Sequence, residues 1–407
     1  VLFAAWLANI HFGWLPRPTR EQRTALELLH APQPSLGERN AFGALWFIAR
    51  DVPLESVDEL MREELAAWRS APIGERFSSP ADAPDLDAGL CELRAPDCLE
   101  TVRRNPEHFR ALLRPFERHR LRVLELRRYD HIADPFPPSQ VLPFPTLGQM
   151  SGSVLTHAAL LAVDGRHADA LAETCAYAGT WRRLRARTDT LLMDMLATAY
   201  ASSAAQLAAQ IVADAPAVEW TDECEGAFAQ LATTELAVCA EMRYEFGFLR
   251  EWVADPDNGH QWAWAANASH MLAKSAPRYA ALCDVQDSGN RRIEHEDALD
   301  CLPLERIFDP FGCSFIEEDP VSLAGYRDRL IDLDGQFATL RTALWLRDEP
   351  IAPAQAFELR PAALRTPEHR VEIDAAAGTL TLTALQAGRD PWTIPFAHSA
   401  AAVPQEP

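Results

Sequence analysis

The sequence predicts a mostly α-helical chain of stacked antiparallel helical hairpins, solenoid-like in build, with a small C-terminal β-hairpin. Three observations carry this. From Ser151 to Ala213 apolar residues recur at helical spacing in three runs. Alanine dominates those runs, which lets neighbouring helices approach closely. Only Val371–Ile373 and Leu380–Leu382, around the turn ending at Gly378, alternate with the period of two that marks paired strands.

In chain order, residues 1–16 read as part of a membrane anchor or signal-anchor. The run V-L-F-A-A-W-L-A-N-I-H-F-G-W-L is apolar, with Trp6 and Trp14 as interfacial aromatics. Its fifteen residues fall short of the ~20 that span a bilayer. Membrane contact is therefore expected through residues 1–15, with burial in a core as the alternative. Residues 17–133 form an N-terminal helical region. Thr19 opens a helix with a Thr-x-x-Gln cap, in which each side chain satisfies the other's backbone amide. A second helix is expected from Leu54 to Trp68, then a loop over 70–90 with three prolines. Cys98–Val123 reads as a helix broken at Pro106 and Pro115, because proline removes a donor and clashes with the preceding turn. Its arginines, among them Arg103, Arg110, Arg114 and Arg118, form the one basic face of the chain, a candidate partner patch or else the counterpart of acidic helices.

Residues 134–150, with five prolines between Asp134 and Pro145, form a linker or strap. The central helical-hairpin region runs from 151 to 350. Its first helix ends at Asp164-Gly165-Arg166, where glycine takes a positive φ cheaply. A second helix starts at His167 and is expected to stop at Gly179. A third starts with Thr188 or Asp189 as its cap. His260–Leu282 and Asp319–Trp345 read as further helices, and Leu304–Phe315 as a loop tied down by phenylalanines. Residues 351–396 hold the β-hairpin, and 397–407 read as a disordered tail.

Composition limits the function. A net charge of −21 argues against nucleic acid, which needs a basic surface to displace counterions. Lys274 is the only lysine among 38 basic residues, a mark of a GC-rich bacterial genome. The eight cysteines are too few for a small disulfide scaffold. Cys91 with Cys98, and Cys301 with Cys313, each flank a short loop that a local bridge closes. Neither pair has the C-x₂₋₄-C spacing of a zinc knuckle. Cys175, Cys224, Cys239 and Cys283 read as buried thiols or one further pair. Bridges favour an oxidising compartment, so the inner membrane with the protein on its periplasmic side is the expected location, with the cytoplasm as alternative.

The string Asp164-Gly-Arg-x-x-Asp-Ala-Leu171 resembles the inter-helix turn of a tetratricopeptide hairpin, with glycine at the turn and alanine at the tight contact of the second helix. The family's aromatic four positions beyond Ala170 is Thr174 here, and no second copy follows roughly 34 residues on. The resemblance implies a helical hairpin that presents a binding surface.

Reaction-bearing motifs fail on spacing. No H-x-x-x-H places two imidazoles on one helix face, so His295-Glu296 lacks its second histidine. Asp255-x-Asp257-x-Gly259 starts like a calcium loop but has Ala266 where a bidentate glutamate belongs. Gly148-Gln-Met-Ser151-Gly152 is not a nucleophile elbow. Glu241 and Glu245, one turn apart beside Tyr244, suit paired-carboxylate hydrolysis on spacing, but read as an exposed acidic face. The expectation is a non-catalytic protein-binding scaffold with no cofactor and no metal. It would be tethered to the membrane and face the periplasm, and an immunity-type inhibitor of a secreted toxin is one instance. A structural or assembly subunit of an envelope complex, and an envelope hydrolase using Glu241 and Glu245, are the alternatives.

Overall fold

Apolar faces repeated every three to four residues decide the architecture, because each helix must cover its stripe with another. The structure, a computed structural model, describes residues 17–32, 37–50, 52–70, 89–93, 96–137, 147–254, 267–283, 301–318, 324–385 and 388–397. It is mostly helical, with a small antiparallel sheet at the C-terminal end. The expected anchor at 1–16, most of the 70–90 loop, part of the Pro-rich linker, the Asp255–Gly259 turn, His295-Glu296 and the tail from 398 lie outside the described residues. Among the described residues no helix is long and apolar enough to cross a membrane.

Helix α1 (Arg20–His30) starts with the expected reciprocal cap: Thr19 Oγ1 accepts the Gln22 amide at 3.2 Å, and Gln22 Oε1 accepts the Thr19 amide at 2.9 Å. Two shorter helices follow, α2 (Phe42–Trp46) and α3 (Val57–Ser70). The prolines divide the next stretch as expected, into α4 (Cys98–Arg104), α5 (Pro106–Leu113) and, after a single turn at Pro115, α6 (Glu117–Glu125). Three long helices then pack in succession: α7 (Leu147–Val163), α8 (His167–Arg185) and α9 (Leu191–Asp214). Gly165, at φ +79°, makes the α7–α8 turn, so the two helices run antiparallel.

Two helix ends differ from expectation. Helix α8 runs past Gly179 to Arg185. A side chain added at Gly179 would make ordinary contact with Ala227 Cβ of α10 (Asp222–Ala227) at 3.7 Å, so this glycine sits inside the helix without ending it. Helix α9 is capped by Thr190, whose Oγ1 accepts the Met193 amide, and not by Thr188 or Asp189. Those two residues are taken up in backbone pairing with Ile132.

Beyond lie α11 (Cys239–Ala254), α12 (Ala268–Ala281), α13 (Pro303–Phe308), α14 (Pro310–Glu318), α15 (Ala324–Asp348) and α16 (Pro353–Leu359). The stretch expected as a loop over Leu304–Phe315 is therefore two short helices, and each proline sits at a first helical position, where its missing N–H costs nothing. The expected hairpin, β1 (Val371–Asp374) and β2 (Thr379–Leu382), gains a third antiparallel strand, β3 (Trp392–Pro395). Inward-facing Leu380, Leu382 and Ile394 settle on α15 and α9.

One apolar core runs from Phe42 through Leu99, Val154, Trp181, Tyr200 and Phe337 to Ile394. Trp181 and Tyr200 face each other at 4.5 Å at its centre. A second cluster joins Ala25 and Leu29 of α1 to Met242, Phe246, Tyr279 and Leu330. Four disulfides staple the helices: Cys91–Cys98, Cys175–Cys224 from α8 to α10, Cys239–Cys283 from α11 to the end of α12, and Cys301–Cys313 across α13 and α14. The four central cysteines thus form two bridges where the sequence suggested one at most. No cysteine is free. Four bridges suit an oxidising, extracytoplasmic environment.

Candidate functional site

Two parts of the molecule depart from what folding alone asks of a helical protein. The first is the elbow of α13 and α14. Asp309 sits between the two helices, wholly buried, and its Oδ1 accepts the amides of Gly312 and Asn267, both at 3.0 Å. Its Oδ2 takes His270 Nδ1 of α12 at 2.7 Å. Gly312 is required by this arrangement, since a Cβ there would collide with the Asp309 carboxylate. Glu305 caps α13 by accepting the Leu302 amide at 2.7 Å, and pairs with Lys274 of α12 at 2.9 Å. That contact lowers the Glu305 pKa despite the upward push of burial. The elbow is thus fixed to α12 by the His270–Asp309 hydrogen bond and the Lys274–Glu305 ion pair, and closed by Cys301–Cys313. On its outer side Leu302, Leu304 and Ile307 are 63–67 % exposed.

The second is a set of carboxylates withdrawn from water. Glu241 and Glu245 of α11, which the sequence suggested as an exposed acidic face, do not lie on one. Glu241 is 4 % exposed, because α11 turns that face onto the start of α9. Burial, then the nearby charge of Asp194, pushes its pKa well above the ordinary carboxylate range. Burial also raises Glu245, while the Leu191 amide bonds to its carboxylate. Asp194 is raised by burial against the pull of Arg185, 3.3 Å away. Asp189 is pushed up to about 7, first by burial, while the Asp134 amide bonds both its oxygens at 3.0 and 3.2 Å. Asp134 is pushed up to about 6 by burial, although Tyr244 donates to its Oδ2 at 2.5 Å. Burial and Asp134 together raise the Tyr244 phenol.

The candidate partner arginines are spread over the fold. Arg103 pairs with Glu100 and Asp214, and Arg110 with Glu107 and Asp164. Arg114 and Arg118 are exposed. From the same face Arg120 is buried between Glu117 and Glu173, and Arg122 donates to four carbonyls between Phe47 and Val52. Arg120 and Arg122 are therefore internal ties, whereas Arg103, Arg110, Arg114 and Arg118 stay at the surface. A cleft of about 550 Å³ lies where Ser202 and Gln206 of α9, Asp332 and Gln336 of α15, and Trp392 of β3 meet.

Sequence reasoning named Cys301, Cys313, Glu241 and Glu245, and missed His270, Asp309, Asp134, Asp189 and Asp194. His270 and Asp309 stand 39 residues apart, so no local pattern pairs them. The one local signal was Asp309-Pro-Phe-Gly312, a helix cap that asks what else its carboxylate holds. No protein-family model, no curated protein and no solved structure matches this chain.

Proposed function

We propose that this chain is a non-catalytic, extracytoplasmic binding protein whose partner docks on the α13–α14 elbow. One observation carries the reading: Leu302, Leu304 and Ile307, all within six residues of the elbow, are exposed to water. Apolar side chains so exposed gain roughly 1–2 kcal/mol each when a partner covers them, and a rigid support loses little entropy on binding. Disulfide, buried pair and cap hold that support. The net charge of −21 selects a partner whose contact surface is apolar at its centre and basic at its rim. An inhibitor of a basic secreted toxin fits this description, as does a subunit of an envelope complex. The buried carboxylates of α9 and α11 are read as internal structure and not as a hydrolase site. Asp134, Asp189, Asp194 and Glu245 each have a hydrogen-bonding partner within the fold.

The test places a photo-crosslinking residue at Leu304 in cells and purifies the protein it captures. The purified pair is then titrated with wild type and with L304D/I307D. The double variant should keep the wild-type circular dichroism and bind at least tenfold more weakly, with affinity falling as salt rises. Equal binding by the double variant, or no capture at Leu304, sinks the reading.

A further inference from the structure

Against the elbow, α12 presents a buried ring nitrogen with no task in the fold. Asp309 takes His270 Nδ1, and a carboxylate so placed keeps the imidazole proton on that nitrogen, leaving a lone pair on Nε2. His270 is 4 % exposed, and its Nε2 has no hydrogen-bond partner. The nearest carboxylate oxygen to it, Glu305 Oε1, lies 3.8 Å away, beyond hydrogen-bonding reach. An orphaned buried polar atom costs about 1–3 kcal/mol, so a fold that fixes one this firmly has another use for it. A ring nitrogen of His270 and the Sγ atoms of Cys301 and Cys313 all lie within 4.8 Å of one another, and all three residues are buried.

We propose that His270, Cys301 and Cys313 form a zinc site that opens to metal when the Cys301–Cys313 bridge is reduced. Asp309 is its positioning residue, and Glu305 approaches the fourth position. The chemistry balances with an external dithiol as reductant. The S–S bond breaks, two electrons and two protons pass to the sulfurs, and the dithiol closes to its own disulfide. Zn²⁺ then takes two thiolates and the Nε2 lone pair, and the two thiol protons leave to solvent. Zn–S bonds of ~2.3 Å and a Zn–N bond of ~2.0 Å set the donors of a tetrahedral site roughly 3.5–3.8 Å apart. The two sulfurs, directly bonded in the bridge, therefore separate to take the metal once the bond is broken. Two thiolates and an imidazole favour zinc over magnesium or calcium, which prefer all-oxygen sites. Glu305 can contribute Oε1 while Oε2 stays with Lys274 and the Leu302 amide. Bridge and metal would be alternative clamps on the same elbow. None of the exposed leucines takes part, so the site stands or falls apart from the docking surface.

The probe is Co²⁺, added under argon to protein reduced with dithiothreitol and then freed of it by gel filtration. Wild type should bind one equivalent with the intense visible absorption of a tetrahedral, thiolate-ligated ion, and Zn²⁺ should displace it. C301S/C313S should lose that absorption although its other six cysteines remain. D309N should weaken the site by about 10–100-fold, the usual loss when the group orienting a histidine ligand is removed. H270Q should weaken it at least as much. A second readout covers the case in which full reduction unfolds the chain. Zn²⁺ should then restore the helical circular dichroism of reduced wild type and protect amides of residues 301–318 from exchange, and do neither for C301S/C313S. Absence of the tetrahedral spectrum and of that protection in wild type overturns the proposal. So does a spectrum that survives in C301S/C313S, or an affinity left unchanged in both H270Q and D309N.

Discussion

Glu241 shows at the scale of one side chain how burial changes what a residue is. On an exposed helix face it would be a charge; packed onto α9 beside Asp194 it holds its proton well above the ordinary carboxylate range. Raising the folded-state pKa of a carboxyl above its unfolded value gives stability that is complete below the unfolded pKa and lost as pH rises through the folded one. Glutamine copies the shape of the protonated acid and cannot ionise. E241Q should therefore match wild type at pH 5 and exceed it in stability at pH 8. Urea denaturation at the two pH values measures the difference. A variant equally displaced from wild type at both would show that the carboxyl titrates normally.

At the scale of helices, the bridges differ in what they contribute. Cys175–Cys224 joins residues 49 apart, whereas Cys91–Cys98 closes a separation of 7. In the chain-entropy account the longer loop constrains the unfolded chain more, about 4 kcal/mol against about 2.5. C175A/C224A should accordingly lower the denaturation midpoint clearly more than C91A/C98A, and the reverse order would place the stabilisation in local packing instead. The same contrast explains what the sequence disclosed. Short-loop cysteine pairs, the Thr19 cap, the Gly165 turn and the β1–β2 alternation are local patterns with local causes. Gly179 misled because a glycine inside a helix costs only about 1 kcal/mol against alanine, and the packing of α8 outweighs that. Pro303 and Pro310 suggested a loop, although proline at a first helical position starts a helix. The burial of Glu241 and the meeting of His270 with Asp309 depend on which helices touch, and hydrophobic period carries no record of that.

The whole molecule combines two opposed sets of carboxyls, and their balance sets its pH range. Asp130 is held down to about 2 by its hydrogen bond to Arg39. Glu117 is held down by Arg120, and Glu235 by Arg182 in spite of burial. Their contributions are present above the unfolded carboxylate range, near pH 4, and are lost as pH falls through the lowered folded values. Asp134 at about 6 and Asp189 at about 7, with Asp194, Glu241 and Glu245 raised beside them, act in the other direction. Their contributions are complete near pH 4 and fade as pH rises through 6 and 7. Stability should thus peak between about pH 4 and 6, and Tm should fall between pH 5 and 8 by on the order of 5 °C, given a loss of a few kcal/mol in a chain of this size. Repulsion within a surface of net charge −21 acts in the same direction, but salt separates the two causes. At 1 M the Debye length is about 3 Å, which screens exposed charges and leaves the buried carboxyls unscreened. Thermal unfolding followed by circular dichroism at pH 5, 6.5 and 8, in low and high salt, should show a decline that survives the salt. A decline abolished by salt assigns the effect to the surface, and a Tm that rises toward pH 8 contradicts the protonated cluster itself.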